Sequence, residues 1–195
     1  MSNQEIQSVV LVGVGGQGIL LASEIVAQTA MKAGYDVKTN EVHGMAQRGG
    51  SVIAQIRYGR RVHSPLVAKG TARVLCALER IEALRYADYL APGGLVVVNS
   101  QVITPVTVSM GAAEYPNDAE QMLRDQFENL VYFDAAQKAI ELGNIRAANV
   151  VLLGVLSTGL DLPAETWREA IAGCVKPAYQ ELNLKAFEEG RNLVV

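Results

Sequence analysis

Cysteine is scarce in this sequence. Cys76 and Cys174 are the two present, far apart and in neither a C-x-x-C pair nor a Cys/His cluster. That spacing gives no case for zinc, an iron–sulfur cluster or any other bound metal, and both thiols read as buried apolar residues. Histidine is as rare: His43 and His63 fall in different segments, and no Ser-His-Asp or Cys-His order suggests a nucleophile. No catalytic residue is therefore assigned to the chain. Charge of one sign is also missing, since 17 basic and 20 acidic residues leave a formal net charge of −3. Nucleic-acid or membrane binding driven by charge is not expected. The longest apolar run, Val150 to Leu156, is far too short to span a bilayer. Met1 to Gln7 is polar and has no basic segment ahead of a long apolar one, so no signal peptide is expected and the location reads as cytoplasmic. Aromatics are only 6% of the chain, whereas half of all residues are hydrophobic. Val, Leu, Ile and Ala must fill the core, as in a covered sheet.

What is present alternates strand-like and helix-like segments over 195 residues without repeat, low-complexity run or long linker. One α/β domain covering 1–195 is the expectation. Ser8 to Gly13 reads as a buried strand. Gly18 to Ala33 follows as a helix whose polar stripe, Glu24, Gln28 and Lys32, is narrow, with Gly34 as its stop. Tyr35 to Val42 and Ser51 to Tyr58 read as strands, and Gly59-Arg60-Arg61 as a tight turn into Val62 and His63. Arg73 to Leu78 predicts a strand and Glu79 to Leu90 a helix, with Glu79 favouring the helix dipole. Pro92-Gly93-Gly94 marks a turn before a strand at Leu95 to Asn99. Ile103 to Val108 suggests a short edge strand, given Pro105. Asn117 to Asn129 reads as a polar helix capped by Asn117, and Leu130 to Phe133 as a strand. Asp134 caps a helix to Leu142, and Asn144 caps another from Ile145 to Ser157, which is either core or subunit interface. Pro163 opens helices over Ala164 to Cys174 and Ala178 to Glu189.

Two loops carry the chemistry. Gly13-Val14-Gly15-Gly16-Gln17-Gly18 fits G-x-G-x-x-G between a strand and a helix. Glycines there permit a tight turn and bring backbone N–H groups close to an anion at a helix N-terminus. The motif fits a phosphate or pyrophosphate seat, and equally a tight connection without ligand. The second loop, His43 to Gly50, follows a strand as the first does and should face the same sheet end. Arg48 beside Gly49-Gly50 offers a guanidinium and backbone donors together, and His43 a further donor. Arg57, Arg60, Arg61 and His63 gather positive charge on one hairpin, suited to a phosphate, an acidic partner or plain solvent. Glu41 sits where a dinucleotide fold would place its ribose carboxylate.

These residues are similar to those of a known family. Gly15-Gly16-Gln17-Gly18, then Glu41-Val42-His43-Gly44-Met45-Ala46-Gln47-Arg48-Gly49-Gly50-Ser51-Val52, resembles the gamma-type subunit or domain of 2-oxoacid:ferredoxin oxidoreductases. The His-Gly-Met form of the loop, with Val62-His63-Ser64-Pro65-Leu66 downstream, looks most like the beta subunit of the indolepyruvate branch. The resemblance implies a Rossmann-like, three-layer α/β/α domain with a mostly parallel or mixed sheet. It implies a non-catalytic subunit of an enzyme that decarboxylates a 2-oxoacid on thiamine diphosphate, passes electrons through iron–sulfur clusters to ferredoxin and releases an acyl-coenzyme A. The diphosphate and the clusters would lie in a larger partner subunit. Coenzyme A is the one ligand this chain would help bind, through Gly13, Gly15, Gly16, Gln17, Gly18, His43, Arg48, Gly49 and Gly50. The absence of a Gly-Asp-Gly thiamine diphosphate signature agrees with that division. Two other readings stay open: a free-standing NAD(P)-dependent enzyme using Glu41, and a dinucleotide-sensing module.

Overall fold

In the computed structural model, which describes residues 6–44 and 49–194, the β-branched run after Ile6 becomes the centre of a sheet. Its strands are β1 (Gln7–Val14), β2 (Asp36–His43), β3 (Ser51–Gly59), β4 (Ala72–Ala77), β5 (Leu90–Asn99) and β6 (Leu130–Phe133). They lie in the order β2-β3-β1-β4-β5-β6. β1, β4, β5 and β6 run parallel, and β3 is antiparallel to both β1 and β2. The sheet is mixed, and helices cover both of its faces.

Alternation along β1 assigns the two faces. Val9 and Leu11 join the larger core, which takes in α1 (Ile19–Lys32), α5 (Ala135–Glu141), α6 (Ala148–Ser157), α7 (Ala164–Cys174) and α8 (Gln180–Asn192). Val10 and Val12 join a smaller core with α2 (Arg80–Arg85) and α4 (Ala119–Gln126). A residue buried on either face must be apolar, which explains the continuous Val-Val-Leu-Val run. The larger core is centred on Trp167 stacked on Phe187, with ring centroids 5.7 Å apart.

Here α6 and α8 cross at glycine. A Cβ on Gly154 would lie 2.2 Å from the Phe187 carbonyl oxygen, and one on Gly190 would lie 2.0 Å from that of Val151. Only glycine permits so close an approach of two backbones. The apolar helix Val150 to Leu156 is thus core of this chain, with Val150 to Leu156 all buried.

Several expectations need correction. Gly59-Arg60-Arg61 does not turn into a hairpin strand, since residues 60–71 form none; the chain instead runs back over the smaller-core face of β3. Gln55 accepts a hydrogen bond from the Val67 N–H (2.8 Å), and Arg57 donates to the carbonyls of Ser64 (2.9 Å) and Leu66 (3.2 Å). Gln55 and Arg57 stand on this face of β3, beside apolar Ile53, because they hold the cover in place. The helix expected to reach Leu90 ends at Arg85 and passes through a 3-10 turn, Ala87–Tyr89, into β5. Pro92-Gly93-Gly94 is a bulge inside β5, where pairing jumps from Ala72↔Leu90 to Val74↔Leu95. Ile103 to Val108 holds a short helix, α3 (Val106–Ser109), and no strand. Asp118, not Asn117, precedes α4. Cys174 is half-buried, whereas Cys76 is fully covered. Among the described residues, no helix is long and apolar enough to cross a membrane.

Candidate functional site

Parallel strands bring their carboxyl ends to one edge, where ligands collect in open α/β sheets. β2 shares the direction of β1, so the loop after it arrives at the same edge as the glycine turn. The two loops lace together. Gly15 donates to the Gly50 carbonyl (2.8 Å), and Gly49 donates back to the Gly15 carbonyl (3.4 Å).

Each residue of the turn has a distinct part. Gly13 is packed: a Cβ there would meet Gln17 Oε1 at 2.7 Å and Leu78 Cβ at 3.1 Å. Gly16 (φ 101°) and Gly18 (φ 81°) adopt the left-handed region. Gly18 occupies the N-cap of α1 without a side-chain cap. Among the described residues, the N–H groups of Gly16 and Gly18 and of the first helical residues Ile19, Leu20 and Leu21 meet no protein acceptor. These donors, with the positive end of α1, are what the turn offers an anion. Gln17 points inward. Its Oε1 accepts from Val14 N (2.7 Å), and its Nε2 donates to the Leu78 carbonyl (2.8 Å) and to Gln101 Oε1 (3.0 Å). With its side-chain amide so engaged, Gln17 shapes the turn.

The turn forms a ridge between two clefts. The larger, about 730 Å³, lies between the turn, the end of β5 and the start of α6. Gly49, Asn99, Gln101, Arg146 and Asn149 line it. The smaller, about 440 Å³, is bounded by Leu20, Val52 and His43. The site residues expected from sequence therefore split. Gly15, Gly16 and Gly18 border both clefts, Gln17 and Gly49 the larger, and His43 the smaller. Gly50 backs Gly15, and Arg48 lies outside the described residues.

Asn99, Gln101, Arg146 and Asn149 were not singled out from sequence. Asn149 Nδ2 donates to the carbonyls of Gln17 (2.7 Å) and Gly18 (3.4 Å), so α6 is tied to the turn from across the chain. Buried Asn99 donates to the Leu78 carbonyl (3.2 Å) and accepts from Ala135 N (3.0 Å), fixing β5 and α5 around the cleft floor. Arg146 is exposed and takes part in no ion pair among the described residues, leaving its guanidinium available to the cleft. The signal for this group was the cap at Asn144, which accepts from Arg146 N (3.0 Å). That cap marks a helix start but does not say where the helix points. The supposed basic patch does not form on a hairpin; Arg57 is taken up by backbone carbonyls.

Glu41 accepts from Ser23 Oγ (2.7 Å) and so is tied to α1. In a dinucleotide fold the strand bearing the ribose carboxylate neighbours the glycine strand. Here β3 stands between them, which weighs against that use of Glu41.

Beneath the edge, on the smaller-core face, Glu82 is buried, bonded to the Ser51 hydroxyl and paired with Arg85 (3.0 Å). Burial raises its pKa above the usual glutamate value, opposed by Ser51 and Arg85. No group of three or more His, Cys, Asp or Glu is arranged to hold a metal among the described residues.

Residues 8–193 match the pyruvate ferredoxin/flavodoxin oxidoreductase family. The chain is 46% identical over 188 residues to the indolepyruvate oxidoreductase subunit IorB of Pyrococcus horikoshii, spanning 94% of this chain and 93% of that one. It is 43% identical over 192 residues to the subunit of the same name from Archaeoglobus fulgidus, spanning 96% and 95%. Among solved structures, the gamma subunit of a keto/oxoacid ferredoxin oxidoreductase from Geobacter sulfurreducens has the same fold. Its TM-score is 0.71 at 24% identity, covering 96% of this chain and 97% of that one.

Proposed function

Because this chain belongs to the pyruvate ferredoxin/flavodoxin oxidoreductase family, we propose that it is the small subunit of a 2-oxoacid:ferredoxin oxidoreductase acting on indolepyruvate or a related arylpyruvate. The observation that carries the reading is the 46% identity to an indolepyruvate oxidoreductase subunit across nearly the full length of both chains. A subunit role also suits the chemistry of the residues present. The described residues offer no cluster of metal ligands, Cys76 is sealed in the core, and neither cleft is lined by Ser, Thr, Cys or Lys. On the family reading, oxidative decarboxylation belongs to a larger partner that holds thiamine diphosphate and iron–sulfur clusters and hands electrons to ferredoxin.

The glycine ridge is this chain's contribution. Coenzyme A carries phosphates at one end and an acyl-accepting thiol at the other. The open N–H groups of Gly16 and Gly18 and the guanidinium of Arg146 supply donors for the phosphates along one wall. His43 borders the second cleft, and Arg48, between it and Gly49, adds a cation from the same loop.

The test is dye reduction by the two-subunit enzyme, with indolepyruvate, pyruvate and 2-oxoglutarate compared at saturating coenzyme A. The highest kcat/KM is expected for indolepyruvate, and no activity from this chain alone. Equal use of pyruvate would remove the substrate assignment. Changing Gly16 to Val, which strains a left-handed residue and covers its N–H, should raise the KM for coenzyme A about tenfold or more. An unmoved KM would take coenzyme A away from the ridge.

A further inference from the structure

The wall of the larger cleft opposite the glycine turn is the segment after β5, and it has little structure of its own. Gln101 and Val102 are exposed, and α3 is a single turn. What holds the wall is a buried carboxylate. Glu79 is 2% exposed and its two oxygens accept four hydrogen bonds. Oε2 takes Ile81 N (2.7 Å) and Glu82 N (3.2 Å), capping α2. Oε1 takes Ile103 N (3.4 Å) from the wall and the hydroxyl of Tyr115 (2.6 Å), a dozen residues further along the same segment. Arg80 closes the arrangement. Its N–H donates to the Gln101 carbonyl (3.3 Å), its Nε donates to Tyr115 Oη (3.0 Å), and its guanidinium lies 5.0 Å from the centre of the Tyr115 ring.

We propose that Glu79, Arg80 and Tyr115 form a latch that positions the wall Gln101–Ile103, and through Gln101 the glycine turn, for ligand binding. The connection to the turn is direct, because Gln101 Oε1 accepts from Gln17 Nε2, whose own Oε1 holds Val14 N. An N-cap alone requires two of the four bonds at Glu79. The other two come from Ile103 in the wall and from Tyr115 further along the chain, which a capping role does not call for. Burial and the bond to Glu79 push the Tyr115 phenol up to about 12, so at neutral pH it stays protonated and donates. None of the three touches the ligand; all are positioning residues.

The proposal rests on the coenzyme A reading of the cleft only for its kinetic readout. Tyr115→Phe removes one hydroxyl and keeps the ring under Arg80. In the assembled two-subunit enzyme, its KM for coenzyme A should rise about fivefold, part of what a bond to a charged acceptor is worth. The kcat and the KM for the oxoacid should stay as they are. Amide hydrogen exchange at Gln101–Ile103 should quicken, whereas exchange in β1 and β4 should not change. Glu79→Gln should do the same with a larger rise, and lower the melting temperature as well through the lost cap. Tyr115→Phe with unaltered exchange at Gln101–Ile103 overturns the latch, whatever binds in the cleft. Quickened exchange with an unmoved KM for coenzyme A, in an enzyme where Gly16→Val also leaves that KM unmoved, keeps the latch and overturns the coenzyme A reading. Quickened exchange with KM raised by Gly16→Val alone overturns the link between wall and ligand.

Discussion

Replacing Gly154 by Ala should destabilise the chain even though alanine is the better helix former. The new Cβ would stand 2.2 Å from the Phe187 carbonyl oxygen, 2.8 Å from Gly190 Cα and 2.9 Å from Arg191 N. All three are backbone atoms of α8, so no rotamer change relieves the contact. The helices must part by about 1 Å to restore ordinary separations. Overpacking of this kind costs about 3 kcal/mol at the upper end of its usual range. The gain in helix propensity returns about 1 kcal/mol, leaving a net loss of about 2 kcal/mol. For a chain of this size that is a fall in Tm of about 4–8 °C. Gly173 in α7 is the matched control. A Cβ there meets nothing within 4 Å, and its backbone is helical. Gly173→Ala should stabilise by about 0.5–1 kcal/mol. Thermal melts of both variants followed by circular dichroism decide the matter. If Gly154→Ala melts at or above the parent, the close crossing of α6 and α8 is wrong.

Other perturbations have equally defined outcomes. Gly18→Ala should lose about 1–2 kcal/mol in urea unfolding, because φ of 81° is strained for alanine and its Cβ would meet Asn149 Nδ2 at 2.9 Å; an unchanged midpoint would mean the turn relaxes freely. Glu82 binds a proton more tightly folded than unfolded, since burial raises its pKa. Its contribution is therefore complete below the unfolded value near 4.5 and is lost as pH rises through the folded value. Urea midpoints measured against pH should fall across that window in the parent and stay flatter in Glu82→Gln. Cys76 is fully buried with its thiol pushed up to about 12, so in the native chain a thiol reagent at pH 8 should label Cys174 first and Cys76 only on unfolding; mass mapping of the labelled peptides would show otherwise if two thiols reacted together. Arg146→Ala should raise the KM for coenzyme A in the assembled enzyme about tenfold without lowering Tm, as expected for an exposed cation lining a cleft; an unaltered KM would place the phosphates elsewhere.

Local signals made much of the fold readable. The run ending at Gly13, the helix after Gly18, the strand Leu130–Phe133 and the helix Ala164–Cys174 each carry a pattern that short-range physics enforces. Asp134 caps α5 as its position suggests, accepting from Gln137 N at 2.8 Å. What failed depends on tertiary structure. Residues after Gly59 have too few apolar positions to announce that Val62 and Val67 are buried, and the segment is held by distant side chains, Asp36 at Val62, Gln55 at Val67 and Arg57 at Ser64. Insertion of β3 between β1 and β2 cannot be read from strand composition, yet it displaces Glu41 from the glycine strand. The glycine turn was found because its local pattern is unusual. Asn149, Gln101 and Glu79 were missed or undervalued because their partners lie far off in sequence, and single amides or carboxylates have no period to betray them.

The most direct measurement on the proposed role is co-expression of this chain, tagged, with a large iron–sulfur subunit of the same organism, followed by anaerobic purification and assay. The expected result is a stable complex containing iron that reduces a viologen dye only when indolepyruvate and coenzyme A are both supplied, while the chain alone is inert. A chain that purifies without the partner, or a large subunit equally active in its absence, would contradict it.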